Sequence, residues 1–467
     1  MKTYQDLQAV GQSEEARMAF VLTAINEHRA AKEVIYAHDA LLYYYGENPT
    51  INRYEKLVYD FKGKAQRDIW SPNHKIASHF FGMVVKQASN YILGNGVSFQ
   101  KDSTKKKLGL NFDEQMVDAA TYAQICGVSF CFLNYDHVEV FKLTEFVPLY
   151  DEETGALMAG IRYWQVGDPS EGRPLRATLY EVDGFTDYIQ RKGQQIETLN
   201  QKRRYMLVAQ QSKADGLQIV DGWNYPGFPI VPMKNNERCK SELVGRRNTI
   251  DALDVASSQL VNNTDEGNLI YWVLKNCGGM DDLDDAQFLQ QLRQLKVVHV
   301  DGDAGVDAEP HAIEAPFAGT QATIDTIRKQ LYEDFQAFDS SAVTASNQSA
   351  TAIRASYVPL DLKADDFERQ ITRCIDGLLE LAGIDDKPSY TRNQIVNKSE
   401  EIQTVMMAAE MLWQEYVVKK ILTILGDADQ LDEVLESLDR NDMERFGTEN
   451  KFQEEKQNGE NQEKGLA

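Results

Sequence analysis

The chain has 467 residues, 42% of them hydrophobic, with 72 acidic against 49 basic side chains and a formal net charge of −23. That length calls for several cores or one elongated multi-part subunit, the hydrophobic content supports folding, and the charge argues against a protein that wraps nucleic acid with a basic face. No stretch reaches the roughly 18 apolar residues of a bilayer span, the polar first residues do not read as a signal peptide, and five scattered cysteines read as reduced packing thiols.

Residues Glu14 to Tyr45 read as helical, with Met18, Val21, Leu22 and Ile25 on a stripe that ends at the YYYGENP turn. The next helix is expected to open at Ser71-Pro72-Asn73, to carry Ile76, Phe80, Val84, Ala88 and Tyr91, and to stop at Gly94-Asn95-Gly96. From Gln124 to about Val231 short runs rich in Val, Tyr, Phe and Ile, such as CGVSFCFLNY and AGIRYWQV, alternate with turns. They predict a meander of antiparallel hairpins, and imperfect alternation predicts that both faces are partly covered. Pro229 and Pro232 close this region with extended backbone.

Helical spacing resumes from Ser241 through Leu243, Ile250, Leu253, Ser257 and Leu260, with Ser241 and Glu242 placed to cap the start. Leu269 to Pro316 reads as a compact insertion with a short helix (Ala286 to Leu295), a strand (Lys296 to Val300) and an extended acidic stretch. Ile324, Ile327, Leu331, Phe335 and Phe338 then give a helix with a narrow apolar seam. A loop of small hydroxylated residues, SSAVTASNQSA, separates it from a long helix carrying Ile353, Tyr357, Leu360, Ala364, Phe367, Ile371, Cys374 and Leu378, with a kink expected at Pro359. Ser399 to Leu425 reads as another helix, an acidic helix follows, and the polar tail from about Asn441 reads as disordered.

Catalytic patterns are missing. The chain holds no G-x-x-x-x-G-K-[ST] and no G-x-S-x-G, and Gly94-Asn95-Gly96 follows a helix where a dinucleotide site needs a strand-to-helix turn. His74 with His79 and Cys126 with Cys131 lack further ligands at zinc spacing. Asp281, Asp282, Asp284 and Asp285 lack the glycine and terminal glutamate of a calcium loop and read as solvated. No cofactor is called for. Arg246 and Arg247 form the densest basic patch and Arg328 and Lys329 a second. In a monomer these are solvated helix faces; repeated around a ring axis they become a belt that meets DNA phosphates or a neighbour's acids.

Three phrases resemble the portal proteins of tailed bacteriophages, of the siphophage type. They are NHKIASHFFGMVVKQASNYILGNGVSF, the string PIVPMKNNERCKSELVGRRNTIDALDVASSQLVNNTDE, and the loop with its flanks. In the second, Asn235, Asn236, Ser241, Glu242, Leu243, Asp251, Ser257 and Ser258 fall where the family pattern wants them. In the third, Ser349, Ala352, Ile353 and Arg354 fit, with Ala350 where the family often has Gly.

The resemblance implies an α+β, elongated subunit: a wing of helices and antiparallel hairpins over 1–240, stem helices at 241–268 and 317–338, and a small α/β clip at 269–316. A tunnel loop at 339–350, a long wing helix with its connection at 351–398, a helical crown at 399–440 and an acidic tail at 441–467 complete it. It implies a ring, of twelve copies in the virion, at one capsid vertex. Double-stranded DNA passes through it, with terminase large subunit, head–tail adaptor, scaffold and major capsid protein as partners, no membrane, and assembly in the host cytoplasm. Ser340, Ser341, Thr344, Ser346, Asn347, Gln348 and Ser349 would line the channel, and Asp281, Asp282, Asp284 and Asp285 would meet partner proteins. Two other readings are another virion structural protein, such as a connector or minor capsid protein, and a metal-dependent enzyme of unfamiliar family.

Overall fold

A computed structural model describes residues 1–266 apart from positions 12, 60–62, 70, 166, 168–171 and 213–215. It further describes 270–275, 307–312, 317–341, 350–393, 398–409 and 413–425, with positions 431, 434 and 435. The chain divides into two units, one of residues 1–345 and 356–393, the other of 346–355 and 394–467. Helix and antiparallel sheet are mixed throughout the first.

The first unit begins with α1 (Tyr4–Val10), α2 (Glu14–Ala30) and α3 (Lys32–Tyr45). Thr3 and Asp6 form a reciprocal capping box on α1, and Ser13 caps α2. The helical stretch expected over Glu14 to Tyr45 is two helices, divided at Ala31, which is extended. The cause is a change of stripe. Phe20, Val21, Ala24 and Ile25 enter one core, whereas Val34, Ala37, Ala40 and Tyr43 enter another, and one straight helix cannot keep both sets inward.

A five-stranded antiparallel meander separates those cores, in the order β6 (Phe146–Tyr150), β7 (Leu157–Gln165), β8 (Leu175–Glu181), β9 (Gly184–Gln190) and β10 (Ile196–Arg203). Val147, Leu149, Ile161, Ala177 and Leu179 point to α1 and α2, while Phe146 and Tyr180 point to the other core. Both faces are therefore covered, as the imperfect alternation implied. Gly160 on β7 makes room for the Phe146 ring, whose Cζ would lie 2.1 Å from an added Cβ.

The second core gathers α3, α5 (Phe80–Leu93), α7 (Phe112–Cys126) and a three-stranded sheet. That sheet runs β13 (Ile230–Lys234), β4 (Val128–Asn134), β5 (His137–Lys142), with β4 buried in the middle and Pro232 on the outer strand, where a missing N–H costs no ladder bond. Gly127, at φ +92°, makes the tight turn from α7 into β4, where a Cβ would strike the Cys239 carbonyl. The β texture thus begins four residues later than Gln124, which is still helical.

α8 (Arg247–Glu266) and α9 (Phe317–Asp334) lie side by side. Arg246, just before α8, binds the carbonyl of Asp334, the last residue of α9. Beyond the other ends β14 (Ile270–Lys275) pairs antiparallel with β15 (Asp307–Ala312), so the two helices run antiparallel. α8 starts six residues after the expected Ser241, because Ser241 to Arg246 form a turn with Gly245 at φ +82°. α9 ends at Asp334, short of Phe338, with Gln336 in the left-handed region at φ 51°. The helix and strand expected within 286–300 lie outside the described residues.

α10 (Ala350–Ala382) runs through Pro359 as one helix of 33 residues. In the second unit α11 (Lys398–Ala408) and α12 (Gln414–Leu425) pack together, two helices where one was expected. The tail from Asn441 lies outside the described residues. Among the described residues no helix is long and apolar enough to cross a membrane.

Candidate functional site

The residues before α5 are extended, not helical, and they lie along α8. The backbone N–H groups of His74, Ile76 and Ser78 bond to the side chains of Asn262 (2.8 Å), Ser258 (3.0 Å) and Asp254 (3.0 Å). Every second residue of an extended strand advances about 6.6 Å, and every fourth residue of a helix about 6 Å. The two repeats match, so a strap without a β partner satisfies its donors on a helix face. Asn48 ties the same face to α4 (Pro49–Arg53): its Nδ2 donates to Asp251 (2.9 Å) and Asp254 (2.7 Å), while its Oδ1 caps α4. Tyr43 donates to Asp251 at 2.6 Å. Burial is the main cause that raises the Asp254 pKa.

A second knot lies where β13 runs into α8. Glu242 accepts from Asn235 Nδ2 (2.9 Å) and from Lys363 Nζ of α10 (2.9 Å), with Arg246 at 3.3 Å. Burial opposes its charge, but Lys363, Arg246 and Asn235 outweigh it and hold its pKa below the usual carboxylate range. Lys363 also reaches the Phe335 carbonyl at 3.2 Å, so one ammonium joins α10, the turn after α9 and the entry to α8. Asn236 binds the Arg238 and Lys240 N–H groups and the Lys240 carbonyl, and Ser241 accepts from Leu243 N. Of the quoted string, Asn235, Asn236, Ser241, Glu242 and Leu243 are therefore scaffold residues of the α8 entry, and Asp251 and Ser258 of the α8 face that holds Asn48 and the strap.

Arg246 and Arg247, the denser of the two expected basic patches, both have partners within the chain. Arg246 is held by Asp334, Glu242 and the Phe335 ring, whose centroid lies 4.9 Å away. Arg247 binds Asp39 (2.9 Å) and the Tyr43 hydroxyl (3.2 Å). These contacts tie down the entry of α8, and the two side chains stay 27% and 30% exposed. Arg328 and Lys329 are exposed on α9, with Arg328 5.9 Å from the Tyr332 ring.

The flanks of the hydroxylated loop are fixed. Gln87 of α5 donates to the Phe338 carbonyl (2.9 Å) and accepts from its N–H (3.0 Å). Phe338 stacks on Tyr357 of α10 at 4.1 Å, and Tyr357 stacks on Tyr91 of α5 at 5.9 Å. Tyr91 donates to Asp361 at 2.6 Å, and Arg392 pairs with Asp361 at 2.9 Å. Ser340 and Ser341 are exposed, and Ser341 bonds to Asp339. Thr344, Ser346, Asn347, Gln348 and Ser349 lie outside the described residues, as do Asp281, Asp282, Asp284 and Asp285. Gln87 escaped the sequence reading. Its one sequence signal was its spacing four before Tyr91, which the apolar stripe concealed.

His74 pairs with Asp265 at 2.6 Å, and Cys126 and Cys131 are buried, with burial pushing the Cys126 thiol up to about 12. Among the described residues no three His, Cys, Asp or Glu side chains gather as metal ligands.

A strapped helix pair carrying an insertion, beside a loop with a closed neck, is a structural framework. The sequence model of the family "Phage portal protein, SPP1 Gp6-like" matches residues 25–444, and the chain belongs to that family. The portal protein of Bacillus phage SPP1 is 25% identical over 401 residues, covering 78% of this chain and 75% of that one. The portal protein of Clostridium phage phiCD119 is 22% identical over 400 residues, covering 77% and 83%. Among solved structures, a chain of the neck of a native gene transfer agent particle, computed with C12 symmetry, is 10% identical and has a TM-score of 0.39. It covers 74% of this chain and 89% of that chain, a loose likeness of backbone outline.

Proposed function

We propose that this chain is the repeating subunit of a portal ring at one capsid vertex, through which double-stranded DNA is packaged and ejected. The role is structural rather than enzymatic. In this reading residues 1–240 form the wing, α8 and α9 the stem, and residues 269–316 the clip. Residues 339–350 form the tunnel loop, the rest of α10 returns to the wing, and 399–440 form the crown. The clip, with nine carboxylates between Asp281 and Glu314 against Arg293 and Lys296, would repel phosphate and attract basic surfaces of terminase or head–tail adaptor. Scaffold and major capsid protein would meet the outer surface. Arg246, Arg247, Arg328 and Lys329 are the candidates for channel or intersubunit charge.

The observation that carries this reading is the closed neck at Phe338 and Tyr357. It fixes the base from which the small-residue stretch 340–350, uncharged in sequence, departs, and hydroxyls contact phosphate without the lasting grip of repeated cations. Exposed Val358 and Leu362, one turn apart on α10, leave apolar surface for a neighbouring copy. Replacing Thr344 with Trp in every subunit should leave assembly intact and block DNA packaging, since bulk is added many times around one hole. Normal packaging by that variant would contradict a channel-lining loop.

A further inference from the structure

The last four carbonyls of a helix have no donor within it, and α5 fills one of these places from far along the chain. The carbonyl of Tyr91, third from the end of α5, accepts from the Asn393 N–H at 2.9 Å. Just past the helix, Asn95 Nδ2 donates to the Thr391 carbonyl at 3.0 Å. β16 (Pro388–Tyr390) then pairs antiparallel with β3 (Val97–Phe99), so residues 388–393 are tied along the end of α5.

The same tyrosine serves the hydroxylated loop. Its ring stacks on Tyr357 with planes 13° apart, Tyr357 stacks on Phe338, and all three rings are buried. Its hydroxyl donates to Asp361, one turn beyond Tyr357 on α10, and Arg392 pairs with that carboxylate at 2.9 Å. Arg392 also binds Asp365 and lies 3.3 Å from Glu368. Gln87, one turn before Tyr91, holds the Phe338 backbone. These are the places where the chain crosses the boundary of its first unit: it leaves after 345, returns at 356 and leaves again after 393. One residue of α5 thus holds the return by its ring and the second exit by its carbonyl, while its hydroxyl meets the carboxylate that Arg392 grips.

We propose that Tyr91, Asp361 and Arg392 form a coupling node, in which the base of the hydroxylated loop and the segment leading into 394–467 loosen and tighten together. A hydrogen bond to a charged acceptor is stronger than a neutral one, so the Tyr91 hydroxyl is held as firmly as Asp361 is placed, and Arg392 places it. Close-packed rings pass a shift of Tyr91 on to Tyr357 and Phe338. The coupling is reciprocal: whatever loosens the loop base weakens the hold on Asn393. The node lies within one subunit, so it goes beyond the ring reading without needing it; under that reading it joins the tunnel loop to the crown.

Hydrogen exchange of the full-length protein tests this at two amides, Phe338 and Asn393. Arg392→Gln should quicken exchange at Phe338 by roughly threefold or more, although Arg392 binds carboxylates of α10 and not the loop base. Arg392→Lys, which keeps the charge, should restore part of the parent rate. In the other direction, Tyr357→Leu should quicken exchange at Asn393. Faster exchange confined to 388–393 in Arg392→Gln, with Phe338 at the parent rate, would reduce the arginine to a local tie and overturn the node. An unchanged Asn393 in Tyr357→Leu would overturn it equally. Should Arg392→Gln also loosen α7, a sign of general unfolding, Tyr91→Phe decides, since it keeps the ring and removes only the hydroxyl. Both amides should quicken in that variant, and either one at the parent rate would overturn the proposal.

Discussion

The rings of Phe338 and Tyr357 stack at 4.1 Å with planes 9° apart, although residues 339–356 lie between them in the chain. Gln87 adds two hydrogen bonds to the Phe338 backbone. Replacing Gln87 with Leu leaves that backbone pair unsatisfied, at a cost of about 1–3 kcal/mol. Hydrogen exchange at Phe338 should speed by roughly ten- to a hundredfold, with α7 unaffected. Unchanged exchange would mean that the aromatic stack alone holds the neck.

Lys363 and Glu242 are a buried pair with side chains 12% and 14% exposed. Lys363→Met leaves the carboxylate with only Arg246 and Asn235, and should destabilise the fold by about 3 kcal/mol in urea titration. Adding Glu242→Gln removes the uncompensated charge, so the double variant should recover part of that loss. Strict additivity would contradict the pairing.

The strap on α8 makes a graded prediction. Ser258→Ala and Asn262→Ala each remove one acceptor for a strap N–H, and each should cost about 1 kcal/mol. Protease cleavage within residues 71–79 should quicken in both, since those N–H groups have no sheet partner to fall back on. Equal cleavage rates in variant and parent would show that the strap is held by something else.

His28 supplies a pH signature. It is fully buried, its Nδ1 lies 3.1 Å from the Tyr163 hydroxyl, and that hydroxyl donates to the Thr144 carbonyl. Burial first, then His38 and Arg29, lower its pKa from 6.5 to about 4. Between those values the unfolded chain binds the extra proton. The contribution of this site is intact above pH 6.5 and is lost as pH falls towards 4, by about 3 kcal/mol. The stability difference between parent and His28→Gln should shrink by that order over the window. A pH-independent difference would contradict a buried neutral histidine.

What the sequence disclosed followed from local repetition. The β meander, the narrow seam of α9 and the length of α10 are period-two or period-3.6 patterns that the fold preserves. The misread positions are those where distant residues decide. Ile76 fits a helical stripe with Phe80, yet its N–H is claimed by Ser258, so α5 begins only at Phe80. The intrachain partners of Arg246 and Arg247, Asp334 and Asp39, stand far away in sequence and leave no local pattern to read. Ala31 breaks a regular helix because two cores compete for it.

The central claim is that copies of this chain close into a ring around a hole. Negative-stain imaging of the purified full-length protein tests it most directly. The account predicts rings viewed end-on with a stain-filled centre, in a population that light scattering shows to be many-subunit. Monomers or open, irregular aggregates at every concentration and salt level would contradict it.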